Sequence, residues 1–183
     1  MLLAWLGISW SAHADLLDNR LASFAKESHR KAEFTETYTA SYLNKPVVSQ
    51  GRLEYQSPGL LTKTITSPVS VIYTVSDGVL RVKRGTDVKQ LDLSTQPEIG
   101  LGINALLDLL RGNRASLEKQ FWVSYQIDER NPLQWKLTLI PRDEKLVQRI
   151  SRVSMDGESN LLKQVTMDYG NGDSLVTRIR QNE

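Results

Sequence analysis

Residues 51–78 read GRLEYQSPGLLTKTITSPVSVIYTVSDG, three segments of β-character cut at short intervals by Ser57-Pro58-Gly59, Ser67-Pro68 and Asp77-Gly78. Segments this close together connect as hairpins, so neighbours must pair antiparallel. Leu53 and Tyr55 share one face of the first segment, and Arg52, Glu54 and Gln56 share the other, so the sheet is wet on one side and needs cover on its other. Leu61 and Ile65 fall on one face of the second segment with Lys63 between them, and Val71, Tyr73 and Val75 line one side of the third.

The same alternation continues at 79–83 and 88–93, whereas the segments flanking it differ. Residues 15–30 place Leu17, Leu21, Phe24 and Ser28 at helical spacing, followed by Thr- and Tyr-rich β-character at 33–42 and a loop at Asn44-Lys45-Pro46. In 98–110, Ile99, Ile103, Leu106, Leu107 and Leu110 form a helical stripe that stops at Arg111-Gly112. Gly100 and Gly102 should weaken its first turns by about 1 kcal/mol each relative to alanine, as a flexible helix start or hinge. A short helix at 115–120 precedes strands at 121–127, 134–140, 147–155, 161–169 and 174–180, with turns at Asn131-Pro132, Pro141-Arg142-Asp143, Asp156-Gly157 and 170–173. The order is helix, strands, helices, strands in one α+β domain, with about three helices to cover one face of a large antiparallel sheet.

Little in the chain supports covalent chemistry. There is no cysteine, hence no thiolate catalysis, cysteine-ligated metal or disulfide. Histidine occurs only as His13 and His29, and no G-x-S-x-G elbow accompanies them. Asp128-Glu129 reads as a solvated turn, and Gly100-Leu101-Gly102 lacks the third glycine and the βαβ context of a nucleotide loop. A net charge of +2, with basic and acidic residues interspersed, argues against a nucleic-acid partner. Arg111, Arg114 and Lys119 read as favourable helix-dipole partners on a solvated face, with an anionic-lipid or partner patch as the alternative. No cofactor is expected, and no enzyme activity.

The N-terminus suggests export. Residues 2–10 are apolar apart from Ser9, too short for a membrane span, and lead into Ser11-Ala12-His13-Ala14 before Asp15, an A-x-A cleavage pattern. Residues 1–14 are read as the end of a secretory signal whose basic region and start codon lie upstream, leaving 15–183 as one mature domain in the periplasm. Asp15 is not cysteine, so the mature chain would carry no lipid anchor at that position.

The order and spacing of Gly51, Leu53, Pro58, Pro68, Ser76, Asp77 and Gly78 resembles that of the LolA-type periplasmic lipoprotein carriers, and so does Trp135-Lys136-Leu137-Thr138-Leu139-Ile140-Pro141, a strand ending in proline, with the later Asn171-Gly172-Asp173 turn. The resemblance implies an unclosed, strongly curved antiparallel β-barrel with a helical lid over an apolar cavity. It further implies a monomeric chaperone of outer-membrane biogenesis, which shields the acyl chains of a lipoprotein or related lipid cargo between an inner-membrane exporter and an outer-membrane acceptor. On their own, Leu53, Tyr55, Leu61, Ile65, Tyr73, Val75, Ile103, Leu106, Leu107 and Leu110 read as plain core. Only the resemblance turns them into cavity wall and lid. Two positions depart from the family. Ser57 stands where the carriers have an arginine that latches the lid, so an easily opened lid is expected, and Lys63 stands where they have a cavity tryptophan. These departures keep open a cargo of a polyene or glycolipid export system, and the similar fold of the RseB-type stress regulators keeps open a sensor or interaction module.

Overall fold

The computed structural model describes residues 11–181, so the expected signal segment lies outside the described residues over positions 1–10. The first described element is α1 (Ser11–Ala25). Six strands follow: β1 (His29–Thr39), β2 (Val47–Gln56), β3 (Leu60–Ser67), β4 (Val71–Ser76), β5 (Val79–Arg84) and β6 (Asp87–Asp92). A 3-10 turn (Leu93–Thr95), α2 (Pro97–Arg111) and α3 (Arg114–Gln120) lead to β7 (Phe121–Ile127) and β8 (Gln134–Pro141). The short α4 (Glu144–Val147), β9 (Ile150–Glu158), β10 (Leu161–Tyr169) and β11 (Ser174–Arg180) complete the order.

The eleven described strands form one antiparallel sheet in the order β6-β5-β4-β3-β2-β1-β11-β10-β9-β8-β7. Every neighbour is a hairpin partner except β1 and β11, which pair from Glu33–Arg180 to Thr39–Ser174 and join the two halves of the chain at the middle of the sheet. A twisted sheet this wide curls rather than staying flat. Its free edges, β6 and β7, are joined in sequence by α2 and α3, so the helical connection bridges the opening. The hairpin pattern predicts this antiparallel α+β sheet with helical cover, and its form is the unclosed barrel that the family resemblance implies.

Local departures from the expected boundaries have local causes. α1 stops at Ala25 and β1 starts at His29, several residues earlier than the sequence pattern places the change. Arg30, expected at the helix end, is instead buried in the strand, its guanidinium 4.7 Å from the centre of the Phe24 ring and donating to the Asn160 carbonyl at 3.0 Å. Asp156 and Gly157 are strand rather than turn, and Ser159-Asn160 makes the reversal, with Ser159 at φ 50°. A Cβ on Gly157 would overlap the indole of Trp135, so the glycine admits the ring. α4 went unforeseen because one turn of helix shows no periodicity; Asp143 caps it by accepting from the Lys145 and Leu146 N–H groups.

α1 fills one end of the concave face. Leu17, Leu21 and Phe24 are buried, and Phe24 meets Trp135 edge-on with centroids 5.8 Å apart. Each such side chain removed from water stabilises the fold by about 1.5–3 kcal/mol. The indole N–H of Trp135 donates to the Ser159 carbonyl at 2.9 Å, which satisfies its buried polar end. α2 ends at Gly112, whose φ of 69° suits glycine and whose N–H returns to the Asp108 and Leu109 carbonyls. A Cβ there would also lie 2.9 Å from the Leu21 carbonyl oxygen, because α1 crosses the end of α2 at this point.

Asp108 is buried between α2 and α3, accepting from the Ser116 hydroxyl at 2.6 Å. Burial pushes its carboxyl above the usual carboxylate range against the opposing pull of Ser116 and Arg111. An acid with a raised native pKa holds its proton more tightly when folded, so the native state loses stability as pH rises from the ordinary carboxylate range through the raised value. Asp108→Asn should therefore have a higher Tm than the parent at pH 7.5, and the advantage should shrink as pH falls to 4. Thermal melts of both proteins across that range check it; a parent advantage at pH 7.5 would mean that the charge is stabilising.

Candidate functional site

The end of the concave face that α1 leaves uncovered is a cavity of about 660 Å³, open to solvent and roofed by α2. Its floor is built from alternate residues of adjacent strands, because strand side chains project with period two. Leu53 of β2, Leu61 and Ile65 of β3, Tyr73 and Val75 of β4, and Leu80 of β5 supply one flank. Val165 and Met167 of β10 with Leu175 and Ile179 of β11 supply the other. Ile99, Gly102, Ile103 and Leu106 of α2 form the roof. Gly102 lies where the helix passes close to the sheet: a Cβ on it would sit 2.8 Å from the Met167 methyl carbon. The glycine expected to serve as a hinge thus permits the roof to approach β10.

The ten candidate positions separate into three groups. Leu53, Leu61, Ile65, Tyr73, Val75, Ile103 and Leu106 line the main cavity. Tyr55 and Leu110 instead line a second, smaller cavity of about 40 Å³ near Phe24 and Arg30, which shares Leu53, Leu61, Leu106 and Ile179 with the first. Leu107 lines neither; it is 3% exposed and belongs to the contiguous core. The helical stripe spans more than one face of α2, and only the side toward the sheet is roof.

Lys63 projects inward, as its place between Leu61 and Ile65 requires. Its ammonium meets the Glu36 carboxylate at 2.5 Å and lies 4.9 Å from the centre of the Phe34 ring. Thr177 donates to the same carboxylate oxygen at 2.7 Å. The two charges cancel inside the cavity, which answers the cost that a lone ammonium would have there. Glu36 escaped the sequence reading because pairing of β1 with β11 and β2, rather than any local pattern, turns it toward Lys63. Tyr38, Tyr169, Asn171 and Asp173 gather at the same end.

Ser57 does not reach the roof; it is exposed, and its N–H donates to the Ser28 carbonyl at 2.8 Å. A link between this hairpin and the roof nevertheless exists with its polarity reversed. Arg111, in the last turn of α2, donates through Nε to the Pro58 carbonyl at 2.5 Å. A Cβ on Gly59 would overlap that guanidinium. The expectation of a roof without an arginine clamp is therefore corrected: the arginine comes from the helix and the carbonyl from the hairpin.

Among the described residues no three His, Asp or Glu side chains are grouped as metal ligands, and no helix is long and apolar enough to cross a membrane. His29 is exposed and bonded to Glu54 at 2.9 Å, and Asp128 caps its own loop by accepting from the Arg130 and Asn131 N–H groups.

Residues 9–179 match the family described as outer membrane lipoprotein carrier protein LolA-like. The chain belongs to that family. Membership supports a lipid- or lipoprotein-binding carrier or an interaction module. Its fold is similar to that of a LolA superfamily protein from Nitrosomonas europaea, with a TM-score of 0.51 at 10% identity over 93% of this chain and 94% of the other. A DUF1329 family protein from Desulfovibrio piger gives 0.52 at 11% identity, over 93% and 92% of the two chains. MucB gives 0.50 at 16% identity over 94% of this chain and 58% of MucB. No curated protein sequence matches the chain.

Proposed function

We propose that this LolA-like protein is a periplasmic carrier that shields the acyl chains of a lipoprotein or related lipid on their way from an inner-membrane exporter to an outer-membrane acceptor. The observation that carries the reading is the open cavity of about 660 Å³, walled mostly by apolar residues and roofed by one side of α2. Burying one sixteen-carbon chain contributes about 0.8 kcal/mol per methylene, on the order of 10 kcal/mol in gross terms. Binding on that scale needs no covalent step, and release needs only an apolar acceptor or movement of the roof.

Mass spectrometry of the protein purified from a periplasmic fraction tests the reading. Co-purifying acyl species that are lost on delipidation and regained from membranes support it; a protein that neither retains nor takes up lipid removes it. Export is tested separately. The mature N-terminus is expected at Asp15, because cleavage after Ala14 satisfies the small-residue rule and leaves Leu17, Leu21 and Phe24 in place. N-terminal sequencing decides the point, and a mature chain that keeps Met1 would contradict export through this cleavage site.

A further inference from the structure

The main cavity is not uniformly apolar, and its polar end has an unequal stock of donors and acceptors. Of its charged groups, Lys63 is already spent on Glu36, while Glu98 and Arg149 pair with each other at 3.3 Å at the rim. What remains is acceptor-rich. Asp173 is 4% exposed and lines the cavity; one carboxylate oxygen accepts from the Tyr38 hydroxyl at 2.6 Å and the Asn171 amide at 2.9 Å, and the other, Oδ1, has no partner. Glu36 uses a single oxygen for both Lys63 and Thr177. Tyr169 lines the same cavity as these carboxylates, its ring edge-on to Tyr38 at 6.3 Å, and its hydroxyl makes no hydrogen bond to a described residue.

On the carrier reading above, we infer that Glu36, Tyr169 and Asp173 form a subsite for the head of an amphiphile, and that the head is an uncharged, hydroxyl-bearing one such as an acylated glycerol. A hydroxyl both donates and accepts, so it can give its proton to a carboxylate while accepting from Tyr169. A carboxylate head carries no such proton, a phosphate monoester loses its last one near neutral pH, and either would meet Glu36, Asp173 and Lys63, a set with one net negative charge. Burial, then the fields of Glu36 and Asp173, push the Tyr169 hydroxyl above the usual phenol range, so it stays protonated and able to donate. Asp173 Oδ1 itself is closed off from the cavity, so the hydroxyl is met by Glu36 and Tyr169 with the Asp173 charge behind them; stripping water from those two without replacing its bonds costs more than satisfying them gains, which makes the head, and not only the chain, a source of selectivity.

Displacement of N-phenyl-1-naphthylamine by monolauroylglycerol, laurate and dodecyl phosphate, all with the same chain length, tests the inference. Monolauroylglycerol should displace the probe at a roughly ten-fold lower concentration than either anion. Tyr169→Phe keeps the ring and should weaken monolauroylglycerol several-fold while leaving laurate unchanged; Glu36→Gln should improve both anions. Equal displacement by the three compounds overturns the head assignment and leaves the carrier reading standing. So does a preference for anions, which would shift the head toward Arg30, whose Nε and Nη2 have no partner at the other end of the barrel. Displacement by none of them overturns both.

Discussion

Leu107→Glu should unfold the protein, whereas its neighbour Leu106→Glu should leave it folded and empty. Leu107 is 3% exposed within the core, and a carboxylate placed there has neither water nor a partner. The cost should be about 4 kcal/mol or more, a large part of the roughly 5–15 kcal/mol that holds a domain folded. Leu106 is half-buried and looks into the open cavity, where a carboxylate can stay hydrated, so its stability cost should be about 1 kcal/mol. Loading the cavity strips that hydration, and binding of a fluorescent fatty acid should fall at least ten-fold. Denaturation midpoints and binding isotherms measured on both variants give the answer. Should Leu106→Glu lose stability as severely as Leu107→Glu, this side of α2 is core and not roof.

Arg111→Ala should release bound lipid faster without much change in its rate of entry. The Arg111–Pro58 bond ties the last turn of α2 to the β2–β3 hairpin. An exposed charge-assisted bond of this kind contributes about 1 kcal/mol, which corresponds to a roughly five-fold faster dissociation. Association is governed more by encounter and should change less. Arg111→Lys keeps the charge but not the rigid fork, so it should fall between the two. Gly59→Ala should reproduce the effect from the other side by displacing the guanidinium. Ser57→Arg should fail to slow release, because it sets a second cation beside the arginine that already occupies the joint. Stopped-flow release of a fluorescent lipid separates these cases; a slower release from Ser57→Arg would restore the arrangement expected from the family resemblance.

The difference between Leu106 and Leu107 shows where one-dimensional reading stops. Both belong to the same apolar stripe, and periodicity identifies the helix and its end at Gly112 because backbone geometry repeats locally. Nothing local says whether a given angle on that helix meets α1, the sheet or a void. The strand pattern behaves likewise: β10 and β11 match the expected 161–169 and 174–180 because a two-residue alternation ended by turn residues is visible in the string. By contrast, the start of β1 was displaced because Arg30 is held by Phe24 and Asn160, partners from a helix and a distant turn.

Hairpin spacing, the amphipathic helix between two runs of strands and the absence of cysteine were enough to determine a large antiparallel sheet with helical cover and to exclude thiol chemistry. Each depends on residues within one turn or one hairpin of each other. Tertiary structure alone decided that α1 fills one end of the concave face and leaves the other hollow, that Lys63 is neutralised by Glu36, and that the clamp on the roof is Arg111 rather than position 57. Those outcomes depend on the pairing of β1 with β11 and on the crossing of α1 over α2, contacts between segments far apart in the chain, which set the neighbours of each side chain and so its charge state, its exposure and its use.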